Sequence, residues 1–571
     1  MSRFIKMLEV NRVRGEGASY LANSDLLPVP PEHRLWKAWN FGTFWIADSF
    51  NINTFMIASS MVGAGLTWWQ AWLCVWVGYA IAGIFLVLNA IPGARYHVIF
   101  PAVRRTHCFS LARASQHSSS FCQYCRASFG VLGALWPTLN RSVMACVWYG
   151  VQAWIGGEAT YTLLLAIFPS LAHLHNGIPS SGTDTAHFLT FFLFSLLSLT
   201  VIWFPIHTLR HFFTLKAVLA PIGGITLFAW CLGKANGAGS LMSAPSTIHG
   251  SELGWTFVAQ LMGCLGNMAT LIVNAVDFAS RAEKRSDVVL PQLISLPVTF
   301  AITSLFGILI GSSTEIIFGE FVWSPLDVMT KFLTAEGGAS HATRAGVAII
   351  SICFIVAQIG TNIAAGCDLT AIFPRFITIR RGGYIAALIG FCMCPWNLLA
   401  SGANFSTYLS AYTVFLSSIA GVMTAHYWLV AGQKVKTDDL YTFSKSGAYR
   451  YFYGFNLRAF AAYLAGIAPN MPGFVGAVGR TVPLAATHIY ELSWFVGFGI
   501  SALIYYILCR LFPLPSLTEE DVDTITLGPY ANTSPAELEK RASSYSRSFD
   551  DAKPDVEEEK SLDGNTRVDM V

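Results

Sequence analysis

Trp148 and Gln152 stand four residues apart in VWYGVQAW, a spacing that puts both on one face of a helix. A tryptophan plane beside a carboxamide suits a flat heterocycle. The indole can stack on the ring, and the carboxamide can pair with neighbouring C=O and N–H groups on its edge. Other polar residues stand inside apolar runs. FGTFWIADSFNINTFMIASSMVG carries Asp48, Asn51, Asn53 and Thr54, and GNMATLIVNAVDFASRA carries Asn267, Thr270, Asn274 and Asp277. A third run, VAQIGTNIAAGCDLTA, carries Gln358, Thr361, Asn362 and Asp368. Taken singly, each residue reads as hydrogen-bonding glue between membrane helices. Three clusters together, with Lys216 and the Trp148–Gln152 pair, read as a polar cavity of the kind that discontinuous helices build around substrate and ion in secondary transporters.

The elements that must position these residues are membrane spans. The 571-residue chain is 54% hydrophobic and 12% charged, with a mean hydropathy of +0.51, whereas soluble chains carry about 25% charge. Crossing a ~30 Å hydrocarbon core takes about 20 apolar residues. Twelve runs of that kind fall near 39–64, 68–92, 139–170, 186–205, 213–233, 254–278, 289–318, 345–373, 383–399, 405–430, 456–478 and 490–512. Runs one and six hold matching places in two five-helix halves, the spacing of an inverted repeat. The expected fold is therefore an all-α polytopic membrane protein.

Charge alternates from loop to loop. Loop 2–3 carries Arg95, Arg104, Arg105, Arg113 and Arg126, loop 6–7 reads SRAEKRSD, loop 8–9 has Arg375, Arg380 and Arg381, and loop 10–11 begins QKVK. The intervening loops are nearly free of Lys and Arg, which by the positive-inside rule puts both termini in the cytoplasm. The expected domains are a cytoplasmic segment at 1–38, a transporter domain at 39–512 and an acidic, disordered cytoplasmic tail at 513–571, in which Lys553 and Lys560 are candidate ubiquitin acceptors. The first 35 residues lack the apolar core of a signal peptide.

Net charge of +3 gives no footprint for nucleic acid, and most of the twelve cysteines sit in apolar runs as small buried hydrophobes. Residues 104–125 (RRTHCFSLARASQHSSSFCQYC) are unlike their surroundings. Cys108, Cys122, Cys125, His107 and His117 lie together there, but one C-x-x-C without a second ordered pair does not make a zinc site. No GxSxG, HExxH or Walker pattern is present, so no catalytic residue, metal or cofactor is expected.

WIADSFNINT, WWQAWL, GEATY, the NxxDF of run six, QIGTNI, AGCDLTAIFPRFITIRRG, CPWNLL and NFSTYLSAY, in this order, resemble the nucleobase:cation symporter-1 family in its fungal uracil/allantoin/uridine permease branch. The likeness runs from about Trp36 to Pro513. It implies a five-plus-five inverted repeat of the leucine-transporter type plus two C-terminal helices. It also implies proton-coupled uptake of a small heterocycle across the plasma membrane. Close sister branches carry thiamine or nicotinamide riboside, and a non-transporting sensor or inactive paralogue is a further alternative. By resemblance Trp148 stacks on the substrate, Gln152 bonds its edge, and Asn51 reaches it from helix 1. Ala47, Phe50, Ala357, Gly360 and Thr361 match the cation-site positions, where Gly360 replaces the hydroxyl of sodium-coupled relatives and so removes an oxygen ligand. Phe405, Tyr408 and Tyr412 match the gate and specificity filter, and Lys216 an affinity-modulating lysine that reads equally as a snorkelling cation.

Three departures accompany the likeness. Met268 stands where sodium-coupled relatives place a second stacking tryptophan. Relatives carry several more residues between the matches to Ala365 and Gly366, among them a substrate-binding Asn. They also join FPAV to RASFGVLG almost directly, so 104–125 reads as an insertion in loop 2–3, with a translated intron as its origin, expected as a poorly packed excursion.

Overall fold

In the computed structural model the described residues are 34–514, apart from 98–123, 204–205, 238–245, 336–337, 360–368, 370–371, 374–375, 437 and 442–446. The apolar runs fold as helices because, away from water, each backbone N–H and C=O must be satisfied within its own segment. In chain order they are α1 (Ala38–Ser49), α2 (Ile52–Gly63), α3 (Trp68–Tyr96), α4 (Cys125–Phe129), α5 (Leu135–Ile167), α6 (Thr185–Trp203) and α7 (Ile206–Lys234). Next come α8 (Gly250–Val273), α9 (Ala275–Ala279), α10 (Ser286–Phe318), α11 (Pro325–Thr334), α12 (His341–Gln358) and α13 (Ile379–Cys392). The last are α14 (Gly402–Ala411), α15 (Thr413–Ala425), α16 (Leu457–Ile467), α17 (Met471–Ala477), α18 (Leu484–Glu491) and α19 (Ser493–Leu511).

Every expected span contains helix, but the spans are not twelve uniform rods. Among the described residues, eight helical stretches are long and apolar enough to cross a bilayer, one of them the stretch Gly402–Val430 that α14 and α15 share. Run one is two helices, α1 and α2, with an interruption at Phe50–Asn51. Run six is α8 and α9, interrupted at Asn274, and run ten is α14 and α15, interrupted at Tyr412. The expected span 383–399 is only the 14-residue α13 followed by a short turn, and 456–478 is split between α16 and α17. Sequence hydropathy measures apolarity and is blind to such breaks.

Two packed groups of helices emerge from the polar contacts. In one, the Trp72 indole donates to Ala301 O at 3.0 Å and Thr299 to Trp45 O at 3.4 Å, joining α3, α10 and α1. In the other, Tyr149 of α5 meets Ser198 of α6 at 2.7 Å, and Thr162 of α5 meets Ser351 of α12 at the same distance. Small residues permit close approach, as expected of membrane interfaces. A Cβ on Gly150 of α5 would lie 2.7 Å from Gly390 O of α13, and one on Gly266 of α8 only 2.3 Å from Leu409 O of α14.

Of the expected insertion, Tyr124 and Cys125 are described. Both are buried, and the Tyr124 hydroxyl donates to Met423 O at 3.1 Å. These two residues thus belong to the packed body, where the phenol ring is buried and its polar tip finds a backbone acceptor. The remainder of 104–125 and the 513–571 tail beyond Leu514 lie outside the described residues, as do Lys553 and Lys560.

Candidate functional site

The first break creates the site's polar lip. Asparagine side chains compete with the helix for backbone donors, and Asn51 caps α2 by accepting from Asn53 N at 3.3 Å. The same Oδ1 accepts from Gln358 Nε2 of α12 at 3.1 Å, so the α1–α2 break and the end of α12 meet through two side-chain amides. Phe50, the residue that ends α1, turns its ring toward Phe306, with centroids 6.2 Å apart. Ala47 is half-buried and Ala357 buried at the neighbouring ends of α1 and α12. Gly360 and Thr361, the other expected cation-site positions, lie outside the described residues, as does the junction after Ala365.

Facing this lip, α5 presents Trp148 and Gln152. The Trp148 ring stands edge-on to Tyr408 at 5.8 Å, and Tyr408 lies 5.4 Å from Tyr412. Phe405 is fully buried behind Tyr408, with rings 6.5 Å apart. Trp148 Nε1, Gln152 Oε1 and the Tyr408 hydroxyl are buried without a hydrogen-bond partner among the described residues. Such groups are costly in a protein interior unless something fills them. The Tyr412 hydroxyl is spent differently, donating to Gly266 O of α8 at 2.7 Å. Met268 is buried in α8, and its neighbour Asn267 donates to the Tyr79 hydroxyl at 3.0 Å. Lys216 of α7 is half-buried and lies within electrostatic reach of Asp48 of α1.

The second break does not serve as the sequence pattern suggested. Asn274 and Asp277 were expected among cavity-lining residues, but both accept from the Arg141 guanidinium of α5, with Nη1 to Asp277 Oδ2 at 3.2 Å. Arg141 passed unnoticed in the sequence. Its signal was available: one arginine inside an apolar run, spaced seven and then four residues from Trp148 and Gln152, hence on their face at about 3.6 residues per turn.

Helices broken by polar residues at the level of an aromatic-and-amide platform, in an otherwise apolar helical body, define a secondary transporter. The profile of the family described as "Permease for cytosine/purines, uracil, thiamine, allantoin" matches residues 28–109 and 108–497. The chain belongs to that family and is a membrane permease, not an enzyme. It is 44% identical over 512 residues to the allantoin permease of Saccharomyces cerevisiae, covering 87% of this chain and 77% of the relative. With the uracil permease of the same yeast the identity is 41%, with the same coverage. In fold it is similar to Mhp1, a nucleobase-cation-symport-1 family transporter solved in a closed conformation with bromovinylhydantoin bound. That match has a TM-score of 0.65, 19% identity, and coverage of 89% of this chain and 100% of the other.

Proposed function

We propose that the chain takes up a uracil- or allantoin-like heterocycle, uridine included, together with a proton, across the plasma membrane with both termini in the cytoplasm. The observation that carries this reading is the set of buried, unpartnered groups: Trp148 Nε1, Gln152 Oε1 and the Tyr408 hydroxyl. They offer a donor, an acceptor and a hydroxyl beside an indole face, which an imide- or ureide-bearing ring complements. The allantoin and uracil permeases of yeast, at 44% and 41% identity, support the same substrate class. On this reading Trp148 stacks, Gln152 and Asn51 bond the ring edge, and Met268 closes the opposite side. Phe405, Tyr408 and Tyr412 filter entry, and Lys216 tunes affinity. Ala47, Phe50, Ala357, Gly360 and Thr361 surround the coupling position, with glycine at 360 favouring a proton over sodium. The Lys- and Arg-rich loops support the orientation.

Competitive uptake of labelled uracil in a permease-null fungal host, against unlabelled allantoin, uridine, thiamine and xanthine, tests the substrate class. Saturable uptake blocked by allantoin or uridine is the expected result, and competition by thiamine alone would replace it with the thiamine reading. Uptake should also slow as external pH rises and collapse with a protonophore. Sodium dependence at fixed pH would overturn the proton assignment.

A further inference from the structure

The substrate site leaves the Arg141 cluster unused. Arg141 lies seven residues before Trp148, about 10 Å along the helix at 1.5 Å per residue, toward the Arg-rich loop 2–3 and on the same face. Its side chain is 3% exposed and that of Asp277 is 7% exposed. A buried arginine in a membrane helix is expensive and marks function by default.

The cluster also bridges two sets of anchors, as the Asn51–Gln358 pair does nearer the substrate site. Arg141 belongs to α5, which is tied to α6 and α12 through Tyr149–Ser198 and Thr162–Ser351. Asp277 belongs to α9, which is tied to the inner ends of α1 and α3. Trp36 N donates to Arg281 O at 3.0 Å, and Glu283 N to Trp36 O at 2.9 Å. His97 Nδ1 meets Ser280 O at 2.9 Å, and a Cβ on Gly93 would fall 2.3 Å from Val276 O. Transporters of this architecture alternate access by rocking one helix group against the other. A charged crossing between the groups, below the substrate platform, must part on every cycle.

We propose that Arg141, Asp277 and Asn274 form a latch that closes the cytoplasmic side of this permease beneath the substrate site. The proposal rests on the cytoplasmic orientation given under Proposed function, but not on the identity of the substrate. The latch favours the inward-closed state because the buried guanidinium reaches Asp277 and Asn274 when α5 and α9 are together. Asp277→Asn keeps the shape and removes the charge, so it weakens the latch while leaving Trp148 and Gln152 intact.

Cys125 is a native reporter. It is fully buried and within electrostatic reach of Arg141 and Asp277, and burial pushes its thiol up to about 12, so it reacts slowly while the latch is shut. The test is maleimide labelling of the full-length permease in inside-out membrane vesicles, with each cysteine followed by peptide mass spectrometry and uptake measured in parallel. Asp277→Asn should speed labelling of Cys125 by about tenfold, within the range over which a minor open state of about 0.1–10% can rise. Maximal uptake should fall with little change in KM, and Arg141→Lys, which keeps the charge, should label near the wild-type rate. Cys231, fully buried in α7, controls for misfolding. An unchanged Cys125 rate in Asp277→Asn, or an equal rise at Cys231, overturns the latch. Because labelling needs no substrate, the result stands apart from whether uracil or allantoin is carried.

Discussion

The two asparagine-marked breaks, at Asn51 and at Asn274, look alike in sequence and do different work. At Asn51 the side chain accepts from a neutral carboxamide, Gln358 at 3.1 Å, and the site beside it keeps unpartnered polar groups. At Asn274 the side chain joins Asp277 on a guanidinium, and the local charge is matched inside the protein. Local sequence makes both breaks, because Asn offers the backbone an alternative to the helix. What each break then does is set by the residue on the facing helix. A neutral partner leaves polarity for a ligand, whereas a charged partner consumes it.

The contrast can be broken most directly at the platform. Trp148→Ala should lose about 1–3 kcal/mol of substrate affinity, by analogy with base–aromatic stacking, seen as a raised KM at equal surface expression. Normal kinetics would show that the unpartnered groups serve something other than the substrate. The neutral break is tested next by a double-mutant cycle on Asn51→Ala and Gln358→Ala. A coupling of about 0.5–1.5 kcal/mol in substrate affinity is expected for a hydrogen bond of this kind. Strict additivity would mean that the amide pair at the lip does not act as a unit.

Tyr412→Phe removes the hydrogen bond to Gly266 O and should cost about 0.5–1.5 kcal/mol, read as lower thermal stability in detergent with substrate selectivity largely retained. A selectivity switch instead would make the hydroxyl part of the filter. The smallest effect is expected at the inner anchor of the charged break. Burial, and then the Arg34 charge, lower the His97 pKa from 6.5 to about 4. The folded state therefore resists a proton that the unfolded chain accepts, and this contribution to stability is present above pH 6.5 and lost as pH falls toward 4. His97→Gln should flatten the acid limb of a detergent stability profile, and an unaltered profile would remove His97 from the anchor.

Much of this arrangement was legible beforehand, for identifiable reasons. Trp148 and Gln152 share a face by helical periodicity alone, and the polar residues of runs one and six announced interruptions that the structure places at Asn51 and Asn274. Other features could not be read. The break at Tyr412 carries no asparagine or glycine at its centre. Arg141 was overlooked because one charge in a long apolar run says nothing of which distant carboxylate it meets.

The sequence by itself determined that this chain lives in a bilayer, that some of its helices are interrupted, and which helix face carries an indole and an amide. These are properties of hydropathy, local hydrogen-bonding competition and a 3.6-residue period, which act within a few turns of chain. Only the tertiary structure decided the pairings: Asn51 with Gln358, 307 residues apart, and Arg141 with Asp277, 136 residues apart. Pairings of that range depend on how the helices pack. In a bilayer, packing is governed by small-residue contacts and polar satisfaction between segments that carry no mark of their partner.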